Sequence, residues 1–232
     1  YFIKSSLTKS EPYNPRFIES GREDILRTYD YLEHMELSGL LRKLHTARTI
    51  YCFGTGYAQR NAVQEFAKSM QVCGKFCHVI PARNEFESTM SAMNQDDVVI
   101  LVSFSGQTEN MREHVKMLAL RKIPMIAITA IGVNFMSSYA EYSLHYQTTP
   151  TQLSTQRKPY HSFVALSVLL DYIVRRYIDH VETQQRGNST KTAQVLESSE
   201  FSAETGALDV ANIRAQAGAA AIDRQHTDPS ET

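Results

Sequence analysis

The sequence predicts an α/β chain: a doubly wound, five-stranded parallel sheet flanked by helices, with an N-terminal helical lead-in. Three observations carry this. Short apolar runs rich in β-branched residues, such as Val98 to Val102, are too brief for ordinary helices and suit strands covered on both faces. Between the runs lie segments whose apolar residues recur at helical spacing. The two kinds of segment alternate along the chain, which indicates crossover connections and hence parallel pairing.

Residues 1–15 contain Pro12 and Pro15 and no period, and read as an extended lead-in. Phe17, Ile25, Leu26, Tyr29 and Leu32 are spaced for a helix, and Leu37, Leu40, Leu41 and Leu44 resume the pattern after a break over 33–36. These leucines are expected to pack against the sheet or a partner. Residues 49–53 form the first predicted strand, followed by Gly54-Thr55-Gly56 and a helix through Val63, Phe66, Ala67 and Met70 that stops at Gly74. A second strand is predicted over 76–80 and a short helix over 86–93, before the central strand at 98–102. Helical spacing then runs from Glu109 through Met111, Val115, Leu118 and Ala119. A fourth strand over 125–129, a helical turn over 137–140 and a fifth strand over 142–146 complete the predicted sheet. A long helix over 160–178, with Phe163, Leu166, Leu170, Ile173, Val174 and Tyr177 on one face, closes it. From Glu182 the chain is polar with a single aromatic, Phe201, and is expected to be disordered apart from one helix over 208–222. The expected parts are therefore a linker over 1–47, one domain over 48–181 and a tail over 182–232.

A hydrophobic content of 42% is enough for a real core, and a net charge of −1 supplies no global field for nucleic acid or membrane. The charge is uneven: the tail carries eight acidic and four basic residues, against a mild net +3 for residues 1–181. Three cysteines, an odd number, argue for a reducing compartment rather than a disulfide framework. Cys73, Cys77 and His78 lie close in sequence, but no second ligand pair accompanies them, so no metal is expected. The longest apolar runs are of strand length, which predicts neither signal peptide nor membrane span and places the protein in the cytoplasm. The first residue is Tyr1 rather than Met, so a further segment is expected upstream.

The most informative stretch runs from Asp97 to Asn110. Ser103, Ser105, Gly106 and Thr108 follow the central strand and precede a helix. Unpaired first-turn N–H groups, the helix dipole and three hydroxyls within six residues together make a site for an anion. A single Ser or Thr would suffice as a helix cap, so capping alone leaves the other hydroxyls unexplained. Gly106 allows close approach or positive φ. Gly54-Thr55-Gly56 also joins a strand to a helix, but Gln59 stands where a dinucleotide fingerprint needs a third glycine, and no acidic residue ends the second strand. No Gly-Lys-Ser/Thr occurs, which excludes a Walker A loop. No cofactor is expected.

These residues resemble the sugar isomerase (SIS) domain, a flavodoxin-like fold. The resemblance rests on Gly54-Thr55-Gly56 after strand one, Asp96-Asp97-Val98-Val99-Ile100 leading into Ser103-Phe104-Ser105-Gly106-Gln107-Thr108, and Ile126-Ala127-Ile128-Thr129. The lead-in from Leu41 to Gly54 is similar to the segment joining the DNA-binding and SIS parts of RpiR-type transcriptional regulators. The resemblance implies a sugar-phosphate ligand, with the phosphate held by Ser103, Ser105, Gly106, Gln107 and Thr108 and approached by Gly54, Thr55 and Gly56. It implies a homodimer or tetramer, and contact with DNA only through a helix-turn-helix domain preceding this segment. The first loop usually reads Gly-x-Gly-x-Ser in that family, whereas Ala58 here removes one hydroxyl. SIS domains serve regulators and aldose–ketose isomerases alike, so the fold does not choose between them. Isomerisation needs a base and a ring-opening acid, for which Glu85, Glu87 and His161 are the candidates. The reading preferred here is an effector domain, with Glu85 and His161 contacting sugar hydroxyls.

Overall fold

Among the described residues of this computed structural model, 15–152 and 154–186, five parallel strands form one sheet in the order β2-β1-β3-β4-β5. Helix α1 (Arg16–Glu33) and α2 (Ser38–Thr46) precede β1 (Ile50–Gly54), α3 (Tyr57–Val72) and β2 (Cys77–Val79). Then come α4 (Arg83–Ser91), β3 (Val98–Val102) and one turn of 3-10 helix over Glu109–Met111. Next are α5 (Arg112–Leu120), β4 (Met125–Ala130), α6 (Phe135–Tyr139) and β5 (Tyr142–Tyr146). A last helix, α7, begins at 164 and is helical through 186, the last described residue.

Val98 to Val102 are buried at every position because both faces of β3 are covered. On one face Val99, Leu101, Met125 and Ala127 meet Phe86 and Met90 of α4, Val115 and Leu118 of α5 and Met136 of α6. On the other, α3 lies over β1 and α1 over β5, and aromatic contacts tie α1 and α2 to α7 through Tyr29–Tyr172 and His45–Tyr177. The chain leaves β1 toward β2 on one side and β3 toward β4 on the other. The loops after β1 and β3 therefore sit side by side where the winding reverses, the place at which open α/β sheets bind ligands.

At the opposite edge, Arg48 clamps the start of β3. Its guanidinium donates to both carboxylate oxygens of Asp97, at 3.0 and 2.6 Å, and the Asn94 N–H adds a third bond at 2.8 Å.

Several boundaries differ from the sequence reading. α7 starts at 164 rather than 160, because Tyr160 is held in an antiparallel bridge to Thr151 (N–H to O distances 2.8 and 2.9 Å), and that backbone cannot also enter a helix. His161 thus precedes the helix instead of opening it. The helix expected from Glu109 opens with the 3-10 turn, α-helix beginning only at Arg112. Residues 182–186, expected to open the disordered tail, are helical. The rest of that tail, its predicted helix over 208–222, and lead-in residues 1–14 lie outside the described residues. No described helix is long and apolar enough to cross a membrane, and the described residues contain no metal-binding cluster of His, Cys, Asp or Glu.

Candidate functional site

The first loop is set by close packing. A Cβ on Gly54 would run into the backbone of Gln59 and Arg60, so only glycine lets α3 start this near the end of β1. The Thr55 N–H donates to the Val102 carbonyl at 2.9 Å, joining this loop to the end of β3. Gly56 is extended (φ −123°) and precedes α3, whose first-turn amides are left without helical acceptors.

The serine loop is built around Gly106, which adopts φ +63°. Ser103 is buried at 1% exposure and frames the loop from within: its Oγ accepts from the Gly106 N–H at 3.2 Å and lies 3.2 Å from Thr108 Oγ1. Ser105 and Gln107 are exposed, with Ser105 Oγ accepting from the Gln107 N–H at 3.2 Å, and Thr108 is half-buried. Four groups expected to act alike thus divide, Ser103 holding the turn while Ser105, Gln107 and Thr108 face outward or partly so.

Neighbouring elements hold the loop in place. The Gly106 carbonyl accepts from the Met136 N–H at 3.1 Å, and Asn134, 3% exposed, donates to Thr129 Oγ1 at 3.0 Å while capping α6 at the Ser137 N–H. Arg112 lies 3.5 Å from Gln107 Oε1, pairs with Glu109 at 2.7 Å and covers the Phe135 ring. Phe104, between the two serines, packs against the imidazole of His161 with centroids 4.5 Å apart, and against Phe163 at 6.2 Å. The His161 Nδ1 is buried and has no hydrogen-bond partner.

The expected residues are therefore only partly gathered. Gly54, Thr55, Gly56, the serine loop and His161 come together. Glu85 is exposed in the first turn of α4, after β2, and its carbonyl accepts from Ser88 and Thr89. Glu87 lines a separate cavity of about 270 Å³ with Met90, Glu113, His114 and Met117.

Residues 43–175 match the SIS domain. The chain belongs to the SIS domain family.

It is 23% identical over 166 residues to the HTH-type transcriptional regulator GlvR of Bacillus subtilis, a match covering 72% of this chain and 65% of that protein, just under two thirds of its length. The SIS domain of an RpiR transcription factor from Sphaerobacter thermophilus superposes with a TM-score of 0.60 at 15% identity, covering 72% of this chain and 92% of that one. Vibrio vulnificus NanR complexed with ManNAc-6P gives 0.60 at 21%, covering 78% and 68%. Phosphoheptose isomerase GmhA of Neisseria gonorrhoeae gives 0.52 at 15%, covering 72% and 97%. These structural likenesses establish the SIS fold.

Chemically, the rim of this SIS domain carries the Ser105 and Thr108 hydroxyls and the Arg112 guanidinium, the last paired with Glu109, with one unpartnered imidazole nitrogen beside them. Sequence reading missed Phe104, Arg112 and Asn134 as parts of the rim. Phe104 and Arg112 lie in or next to the motif, so proximity was a usable signal. Asn134 lies 28 residues from Gly106 and carried none.

Proposed function

We propose that this SIS domain is the phosphosugar-binding effector domain of an RpiR-type transcriptional regulator of carbohydrate metabolism. The observation that carries the reading is the left-handed turn at Gly106, which leaves the Ser105 and Thr108 hydroxyls around its amides at the carboxyl edge of the sheet, beside the first loop. Ser105, Gln107 and Thr108 take the phosphate, Ser103 keeps the turn in shape, and Gly54, Thr55 and Gly56 approach with backbone. Arg112 adds charge. His161 serves a sugar hydroxyl. The regulator GlvR as a relative and the NanR complex with ManNAc-6P as a fold neighbour support this direction. In this reading two or four copies assemble in the cytoplasm, and DNA is contacted by a helix-turn-helix domain preceding the segment.

A thermal-shift screen of sugar phosphates, with the unphosphorylated sugars as controls, tests the proposal. A phosphorylated sugar should raise Tm, and Ser105→Ala should lose about 1–3 kcal/mol of binding, the worth of one charge-assisted hydrogen bond. Failure of every sugar phosphate to shift Tm, or an undiminished response in Ser105→Ala, would overturn it.

The unpartnered His161 Nδ1 favours one second reading, an aldose–ketose phosphosugar isomerase in which His161 moves a proton. Turnover of an aldose phosphate to its ketose, lost in His161→Ala while binding survives, would select it.

A further inference from the structure

The hairpin between β5 and α7 touches two distant parts of the domain. Its outgoing arm, 147–151, lies against α1. The Gln147 N–H donates to Thr28 Oγ1 at 2.9 Å, and Thr149 donates twice to the Asp24 carboxylate, from N–H at 2.9 Å and from Oγ1 at 2.7 Å. Asp24 and Thr28 are 4% and 0% exposed, so these bonds are shielded from water. Its returning arm, 160–163, lies against the serine loop, with His161 and Phe163 packed on Phe104. The arms are fastened to each other by the Thr151–Tyr160 bridge and by Thr148 Oγ1 donating to the Ser162 carbonyl at 3.0 Å.

We propose that this hairpin mechanically couples the serine loop to α1, so that a rearrangement around Phe104 changes how firmly α1 is held. The physical basis is an unbroken series of contacts: Phe104 to His161, returning arm to outgoing arm, and outgoing arm to the buried Asp24 and Thr28. α1 carries a buried polar clamp on one side, while Ile18 and Leu26 stay exposed on another. Its seating therefore depends on those few hydrogen bonds more than a fully apolar helix would, since a buried carboxylate that loses its donors is strongly penalised. Ligand entering beside Ser105 would press on Phe104 and His161, and the hairpin would pass the displacement to the helix through which all preceding chain is attached. That use as a signal rests on the effector-domain reading; the coupling itself does not.

Hydrogen–deuterium exchange on the full chain, without ligand, tests it. Phe104→Ala should speed exchange of the Gln147 and Thr149 amides and of α1 by about fivefold or more, the lower range of measured couplings, with the β3 amides unchanged. Reciprocally, Asp24→Asn should speed exchange at Gly106 and Gln107. His161→Ala, which removes only the ring against Phe104, is the gentler variant to read if Phe104→Ala loosens β3 as well. If α1 and residues 147–149 keep their protection while only 103–108 and 160–163 exchange faster, the coupling does not exist. Because no ligand is involved, that failure is separate from a negative sugar-phosphate screen.

Discussion

The side-chain oxygen of Asn134 occupies the space that a Cβ on Gly106 would need. The two residues belong to loops after different strands, and each holds the other's loop in shape: Gly106 accepts from the Met136 N–H while Asn134 closes over the glycine and caps α6. The turn on which the proposed phosphate binding depends is thus keyed into its neighbour.

Gly106→Ala should therefore cost more than backbone strain alone. A left-handed alanine costs about 1–2 kcal/mol and the overlap with Asn134 a similar amount again. A loss of about 2–4 kcal/mol is expected, read as a lower urea midpoint with unchanged slope.

Ser103 and Ser105 should separate stability from binding. Ser103→Ala leaves the Gly106 N–H without its buried acceptor, at a cost of about 1–3 kcal/mol. Ser105→Ala removes an exposed hydroxyl and should stay within about 0.5 kcal/mol in stability while losing the sugar-phosphate response. Urea titrations of both variants, with and without ligand, check this.

Asp97 should set part of the acid sensitivity. Burial of its carboxyl favours the neutral form, but hydrogen bonds from Arg48 and the Asn94 N–H outweigh it and hold the pKa below the usual value. Its stabilisation is full above the unfolded carboxylate pKa of about 3.9 and drains as pH falls from there through the lower folded value. Asp97→Asn should be less stable at pH 7 by about 1–2 kcal/mol, since the half-exposed Arg48 is rehydrated once its partner is neutral, with the difference from wild type shrinking below about pH 4.

His145 acts in a different window. Burial lowers its pKa, opposed by a hydrogen bond to the Ala130 carbonyl, so the folded ring stays neutral where the unfolded one is protonated. The unfolded chain binds the extra proton, and stability falls as pH drops from about 6.5 toward the folded value. Urea midpoints at pH 7.5 and 5.5 should differ less in His145→Gln than in wild type.

What the residue order determined by itself was the frame. β3 sits where its apolar run placed it, because a strand covered on both faces needs an uninterrupted apolar stretch and little else does. The helices were legible in their 3.6-residue period, and Ser103 to Thr108 marked a glycine-containing loop between a strand and a helix. Tertiary structure alone decided how that loop is held and which side chains remain for a ligand. Ser103 turns inward because its Oγ is the acceptor that Gly106 needs once the turn closes. His161 reaches Phe104 because Tyr160 pairs with Thr151 instead of joining α7, and Asn134 meets Gly106 across 28 residues. Periodicity reports contacts within one element. These contacts arise between elements, where the sheet's winding brings distant loops to one edge, and no local pattern encodes them.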